Sequence, residues 1–216
     1  MSEKKERVFK GIAASPGIAI GPALILGDTF STIEVKDRDI SSSEVETELE
    51  IFEDAKNKTK DQILKLQKHV ESNLEKSEAS IFDAHLLIVD DQVLMHEVEE
   101  MIKSGKPADF SFHAIIQKYI TALSAMSNPY IKERAVDIKD VASRVMSNIT
   151  GVQKRSLKNI TGQRIIIAED LTPSDTAEID TDNLQAFVIE KGSRTSHTAI
   201  LARSMKIPAI VGVHEL

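Results

Sequence analysis

Asn128-Pro129-Tyr130-Ile131-Lys132-Glu133-Arg134-Ala135-Val136-Asp137-Ile138-Lys139-Asp140-Val141-Ala142-Ser143-Arg144-Val145-Met146-Ser147-Asn148-Ile149-Thr150-Gly151 decides the architecture of this chain. Ile131, Ala135, Ile138, Ala142, Val145 and Ile149 recur at spacings of 4, 3, 4, 3 and 4, the period of one helix face. Asn128 is a cap, and Pro129 suits the first helical position, whose N–H has no intrahelical partner. Gly151 stops the run.

The same logic extends upstream. Between Asp28 and Thr150 there is one glycine, Gly105, and the prolines there are Pro107 and Pro129. Both residue types are costly inside helices, so the middle of the chain is expected to be helical. Ser41 with Glu44 and Ser43 with Glu46 form overlapping capping boxes. Val45, Leu49, Phe52, Ile63, Leu66 and Val70 then make a stripe that Lys56 and Thr59 interrupt. A second run from Ser77 carries Phe82, Leu86, Val89 and Val93, with a break expected at Asp90-Asp91, which can cap a new helix. A third follows Pro107, with Asp109 as its cap. These runs predict an antiparallel bundle of four or five helices.

The ends hold the other eight glycines and short apolar runs between turn residues. Gly17-Ile18-Ala19-Ile20-Gly21 and Pro22–Leu26 are expected to form a first hairpin. Arg164–Ala168, Phe187–Ile189 and Ala209–Val211 are further strands, with a helix over Thr198–Met205. The fold class is therefore α/β plus α. Residues 1–38 and 150–216 form a small α/β domain, and residues 39–149 form a helical insert.

Composition narrows the function. Lys and Arg number 27 against 34 Asp and Glu, a net charge of −7, which disfavours nucleic acid and suits a basic protein partner. No cysteine is present, which excludes disulfides and thiolate chemistry. Met1–Arg7 has no apolar core and no apolar run approaches a bilayer span. A soluble, cytoplasmic protein without membrane insertion is expected.

One stretch carries chemistry: Gly192-Ser193-Arg194-Thr195-Ser196-His197-Thr198-Ala199-Ile200-Leu201-Ala202-Arg203. A histidine flanked by Thr195, Ser196 and Thr198 sits where a loop enters a helix. Unpaired N–H groups and partial positive charge there favour a phosphate. They also lower an imidazole pKa from about 6.5, and neutral imidazole can attack phosphorus. A helix-capping feature would have the same pattern.

This stretch, followed by Ile207-Pro208-Ala209-Ile210-Val211-Gly212, resembles the phosphohistidine signature of phosphoenolpyruvate-utilising enzymes, above all enzyme I of the bacterial sugar phosphotransferase system. Gly11–Ala19 is similar to that family's opening strand, Lys132–Asp140 to its last bundle helix, and Asp170–Thr176 to the loop facing the histidine. Ser193 departs from the family's usual second glycine. The resemblance implies a swivelling-type phosphohistidine domain, C-terminally incomplete here, in which His197 takes phosphate from phosphoenolpyruvate and passes it to the carrier protein HPr. It implies roles for Thr176, Thr195, Ser196 and Arg203 around His197, and HPr contacts at His85, Leu87, Asp91, Leu94 and Arg134. The family's phosphoenolpyruvate-binding barrel, with its Mg²⁺, lies beyond Leu216. This stretch is therefore expected to need no cofactor and no metal, and to exchange phosphate with HPr without using phosphoenolpyruvate itself. The alternatives are the swivelling domain of a dikinase or phosphoenolpyruvate synthase, which lacks such an insert, and a non-enzymatic interaction bundle. His69, His96 and His113 are expected to be surface or satisfied residues. The Gly17/Gly21 pair is expected to be turn chemistry rather than a dinucleotide motif.

Overall fold

A computed structural model describes residues 6–27, 30, 33–73, 76–152, 157–158, 160–179, 181–193 and 196–214. The chain divides into two compact units, Met1–Asp28 with Arg155–Leu216, and Thr29–Lys154. The boundaries read from sequence, 38/39 and 149/150, lie ten and five residues from these.

The second unit is helical: α1 (Val45–Asn73), α2 (Lys76–Val89), α3 (Gln92–Lys103), α4 (Ala108–Ser124) and α5 (Pro129–Thr150). α4 runs against α5, and α1 packs on α2 and α5. Phe52, Ile63, Phe82, Ile102, Phe112, Ile116 and Met146 are fully buried. Each contributes about 1.5–3 kcal/mol over exposure. Lys56 and Thr59, which break the apolar stripe of α1, are themselves buried. The Lys56 ammonium stands over the Phe52 ring, 5.3 Å from its centroid, and donates to Glu53 at 2.5 Å. Thr59 donates to the Ala55 carbonyl and accepts from Asn148 of α5. The polar interruptions therefore sit inside the core with their hydrogen bonds met.

The helix break comes where two aspartates stand. Asp91 caps α3, its carboxylate accepting the N–H groups of Val93 and Leu94 at 3.0 and 2.9 Å. The cap of α4 differs from expectation. Pro107, not Asp109, holds the cap position, and the Ala108 N–H donates to Glu48 of α1 at 2.8 Å.

The first unit holds a five-stranded sheet in the order β1-β5-β4-β3-β2, with β1 (Ile12–Ser15), β2 (Ala23–Leu26), β3 (Arg164–Ala168), β4 (Leu184–Ile189) and β5 (Ala209–Val211). β2 to β5 are parallel neighbours, and β1 closes antiparallel on β5. The expected first hairpin is corrected. β1 and β2 occupy opposite edges, and residues 17–20 form no strand. Crossing four strand spacings takes about 19 Å, which the extended connector 16–22 can span. Pro16 and Pro22 lack ladder donors. Gly17 holds φ +144, and an added Cβ there would strike the Pro208 ring.

Parallel strands need crossovers. Two carry α6 (Pro173–Ala177) and α7 (His197–Ser204), and the helical unit is inserted between β2 and β3. Ile166, Phe187, Ile189 and Val211 form one buried face together with Ala199 and Ala202 of α7. On the other face, Ile25 and Ile210 are 67% and 43% exposed.

Candidate functional site

The loops after β3, β4 and β5 gather at the carboxyl edge of the sheet. Glu190 N–H donates to the Ala168 carbonyl at 3.0 Å, Lys191 to Glu169 at 2.8 Å, and Val213 to Ile189 at 3.1 Å. Ligand sites of open α/β sheets form at this edge. α6 and α7 both start there and lie against each other.

His197 is the first residue of α7. Its side chain, with all of Arg194 and Thr195, lies outside the described residues. The preceding residue, Ser196, is the N-cap, and its hydroxyl accepts from Ala199 N–H at 3.4 Å. Gly192 opens the loop at φ +97. Among the described residues the non-glycine with positive φ is Lys206, so Ser193 sits in the loop without that strain. Thr198 is buried beneath the helix start.

α6 carries Thr176. A capping box starts this short helix. Thr172 Oγ1 accepts from Asp175 N–H while the Asp175 carboxylate accepts from Thr172 N–H at 3.1 Å. Thr176 is 5% exposed, and its hydroxyl donates to the Pro173 carbonyl at 2.9 Å. The Pro173 carbonyl had no local signal in the sequence.

Arg203 stands at the other end of α7. Its Nη1 donates to the Ala14 carbonyl of β1 at 3.1 Å, so its described bond is to backbone at the end of the helix away from His197.

In the helical unit the five residues expected to touch a partner separate. Leu87 is 72% exposed, Asp91 is exposed, and Arg134 pairs with Asp137 at 3.6 Å on the surface of α5. His85 and Leu94 are in the core, at 0% and 3% exposure, which corrects their placement on the contact surface. The break at Asp90-Asp91 puts Leu87 and Leu94 on different helices and turns Leu94 inward. The His85 ring meets Phe82 edge-on, and its Nε2 stands 3.8 Å from Asp137. Val93, which sequence reasoning placed in an apolar stripe, is 66% exposed. Several charges elsewhere on this unit are paired. A cavity of about 270 Å³ between α1 and the α2–α3 break contains Lys56 and Lys60, bonded to Glu53 and Asp90. Lys118 and Tyr119 donate to Glu97 and hold its carboxyl below the usual value.

Among the described residues no group of three or more His, Asp or Glu could hold a metal ion. No described helix is long and apolar enough to cross a membrane.

Residues 10–134 match the family model described as PEP-utilising enzyme, N-terminal, and residues 160–216 that of the PEP-utilising enzyme mobile domain. The phosphoenolpyruvate-protein phosphotransferase of Bacillus subtilis (strain 168) is 40% identical over 205 residues, covering 94% of this chain and 35% of that protein. Its counterpart in Staphylococcus aureus (strain MRSA252) is 38% identical over 211 residues, 97% of this chain and 36% of that protein. The chain thus spans about a third of the length of these relatives. An Enzyme I protein solved by NMR superposes with a TM-score of 0.75 at 38% identity, over 96% of this chain and 84% of that one. The N-terminal domain of an "Enzyme 1 - Nitrogen" shares the fold, with a TM-score of 0.64 at 22% identity.

Proposed function

The chain belongs to the phosphoenolpyruvate-utilising enzyme family, and from that premise we propose that it carries a phosphoryl group on His197, received in the complete cytoplasmic enzyme from phosphoenolpyruvate and passed to HPr. The observation that carries the reading is the placement of His197. It opens α7 behind the Ser196 cap, at the carboxyl edge of the sheet, with α6, the helix that carries Thr176, in contact with α7. The match of the helical stretch to the N-terminal model favours this over a dikinase arrangement.

The chemistry is two displacements at phosphorus. A ring nitrogen of neutral His197 attacks, the P–O bond to the enolate oxygen breaks, and the P–N bond forms. The HPr imidazole then attacks and the P–N bond breaks. The N–H groups at the start of α7 favour the phosphoryl charge. Thr176 already gives its proton to Pro173, so in this arrangement its oxygen offers an imidazole N–H an acceptor. That bond would fix the ring and leave the other nitrogen's lone pair for phosphorus. Mg²⁺ belongs in this reading to the barrel of the longer protein. The described residues offer it no cluster, and no step here passes through it.

Docking is assigned to the helical unit. Leu87 and Val93 present apolar contacts, with Asp91 and Arg134 as the charged rim, and His85 and Leu94 pack beneath. The net charge of −7 suits a basic carrier.

Incubation with phosphorylated HPr tests the proposal by mass spectrometry. The chain should gain the mass of one phosphoryl group as HPr loses it, and His197→Ala should fold yet gain none. Labelling of that variant at the wild-type rate would sink the assignment.

A further inference from the structure

We infer that Arg203 is a positioning residue for His197, acting through a bulge in β1 rather than on the phosphoryl group; the inference rests on the function proposed above. In the β1–β5 ladder Ile12 faces Val211, Ala13 faces Ile210 and Ser15 faces Ala209. Two consecutive residues of β5 thus oppose residues 13 and 15, and Ala14 is the extra residue of a bulge. A bulged residue drops out of the ladder, yet Ala14 is 6% exposed, where an unmet carbonyl is costly. Arg203 Nη1 meets that carbonyl at 3.1 Å.

The consequence is mechanical. Arg203 lies six residues, about 9 Å of helical rise, beyond His197 on a helix that rests against β1. The planar guanidinium donates in fixed directions, so the bond sets both the height and the rotation of α7 on the sheet. Ala199, buried in the core cluster of the sheet, seats the N-terminal end of the helix, and Arg203 with the bulge holds the other. Releasing one end lets the helix start drift, and displacements near 1 Å are enough to slow a group transfer by about a hundredfold.

Arg203→Met and Arg203→Lys test this with phosphorylated HPr, well below their melting temperatures. Arg203→Met should lower kcat about tenfold with KM for HPr unchanged, because the docking residues lie in the helical unit. Hydrolysis of its phosphohistidine should keep the wild-type rate. Arg203→Lys retains one donor toward Ala14 and should recover part of the loss. The inference is overturned if Arg203→Met transfers at the wild-type rate, or if both variants also hydrolyse their phosphohistidine faster, which would mark direct contact with the phosphoryl group. A wild-type chain that takes no label would defeat the function proposal instead. The His197 ring titration followed by NMR would then judge Arg203: displaced in Arg203→Met if the inference holds, unmoved if it is wrong.

Discussion

A Cβ placed on Gly192 would stand 3.1 Å from the Ser196 hydroxyl oxygen and 3.3 Å from the Ser196 Cβ, so the loop glycine and the α7 cap occupy one tight space. Gly192 also holds φ +97. Gly192→Ala should cost about 1–2 kcal/mol from the backbone alone and push Ser196 away from Ala199. Thermal unfolding checks the first effect and the Ala199 amide shift the second. An unmoved amide would mean that the cap does not depend on this contact.

Thr176→Val should slow transfer without abolishing it. The substitution removes the acceptor proposed for the imidazole and the donor to the Pro173 carbonyl. One such bond contributes about 0.5–1.5 kcal/mol, a loss of about threefold to tenfold. Rapid-quench transfer from phosphorylated HPr measures it, and an unchanged rate would remove Thr176 from the site.

Asp91 caps α3 and carries charge in the proposed docking surface, and substitutions separate the two. Asp91→Asn keeps a cap for Val93 and Leu94 while removing the charge. It should weaken HPr binding and flatten its salt dependence with little change in stability. Asp91→Ala also loses the cap and should cost about 1 kcal/mol in stability. Calorimetric titration at two salt concentrations with urea unfolding checks both. Equal binding by wild type and Asp91→Asn would exclude the carboxylate from docking.

His113 stacks on Phe30 at 4.9 Å, and burial lowers its pKa from the ordinary 6.5. Unfolding restores the higher value, so the unfolded chain takes up a proton first as pH falls. The contribution of His113 is present in full above pH 6.5 and is lost as pH falls through the lower folded value. His113→Phe should remove that part of the acid-side slope in urea midpoints measured across this range. An identical slope in the variant would exclude His113 as its source.

Lys206 closes α7 in the left-handed region at φ 57. Ile207 N–H bonds to the Ala202 carbonyl at 2.9 Å and Lys206 N–H to Arg203 at 3.1 Å, the paired bonds of a Schellman motif. Glycine occupies this position without a Cβ penalty, so Lys206→Gly should stabilise the α/β unit by about 0.5–1 kcal/mol. A lower melting temperature would contradict this.

What the sequence disclosed was local. α5 spans Pro129–Thr150 because the Asn128-Pro129 start and the Gly151 stop are both written beside it. β3 and β5 fall on their β-branched runs for the same reason. Capping of α4 was hidden because its acceptor, Glu48, lies 60 residues away. The apolar run at residues 17–20 reads as a strand, yet Ile18 and Ile20 are exposed, since β1 finds its partner far along the chain rather than next door. At the site, the helix start and its cap were legible around His197. The Arg203–Ala14 bond was not, because it depends on a bulge created by pairing. His85 and Leu94 are placed on the contact surface by the resemblance alone, and the expected break at Asp90-Asp91 takes Leu94 into the core.

The pairing of β1 with β5 also orders assembly. The helical unit is one uninterrupted stretch, Thr29–Lys154, and on a ribosome it can fold as soon as that stretch has emerged. The sheet cannot be completed then. Ile12 waits for Val211, about 200 residues of synthesis later, and closing so large a loop is slow. Until β5 arrives, the edge of β1 has no partner strand and the bulge whose carbonyl Arg203 meets has not formed. The scaffold that positions His197 is therefore completed last, after the proposed docking surface already exists.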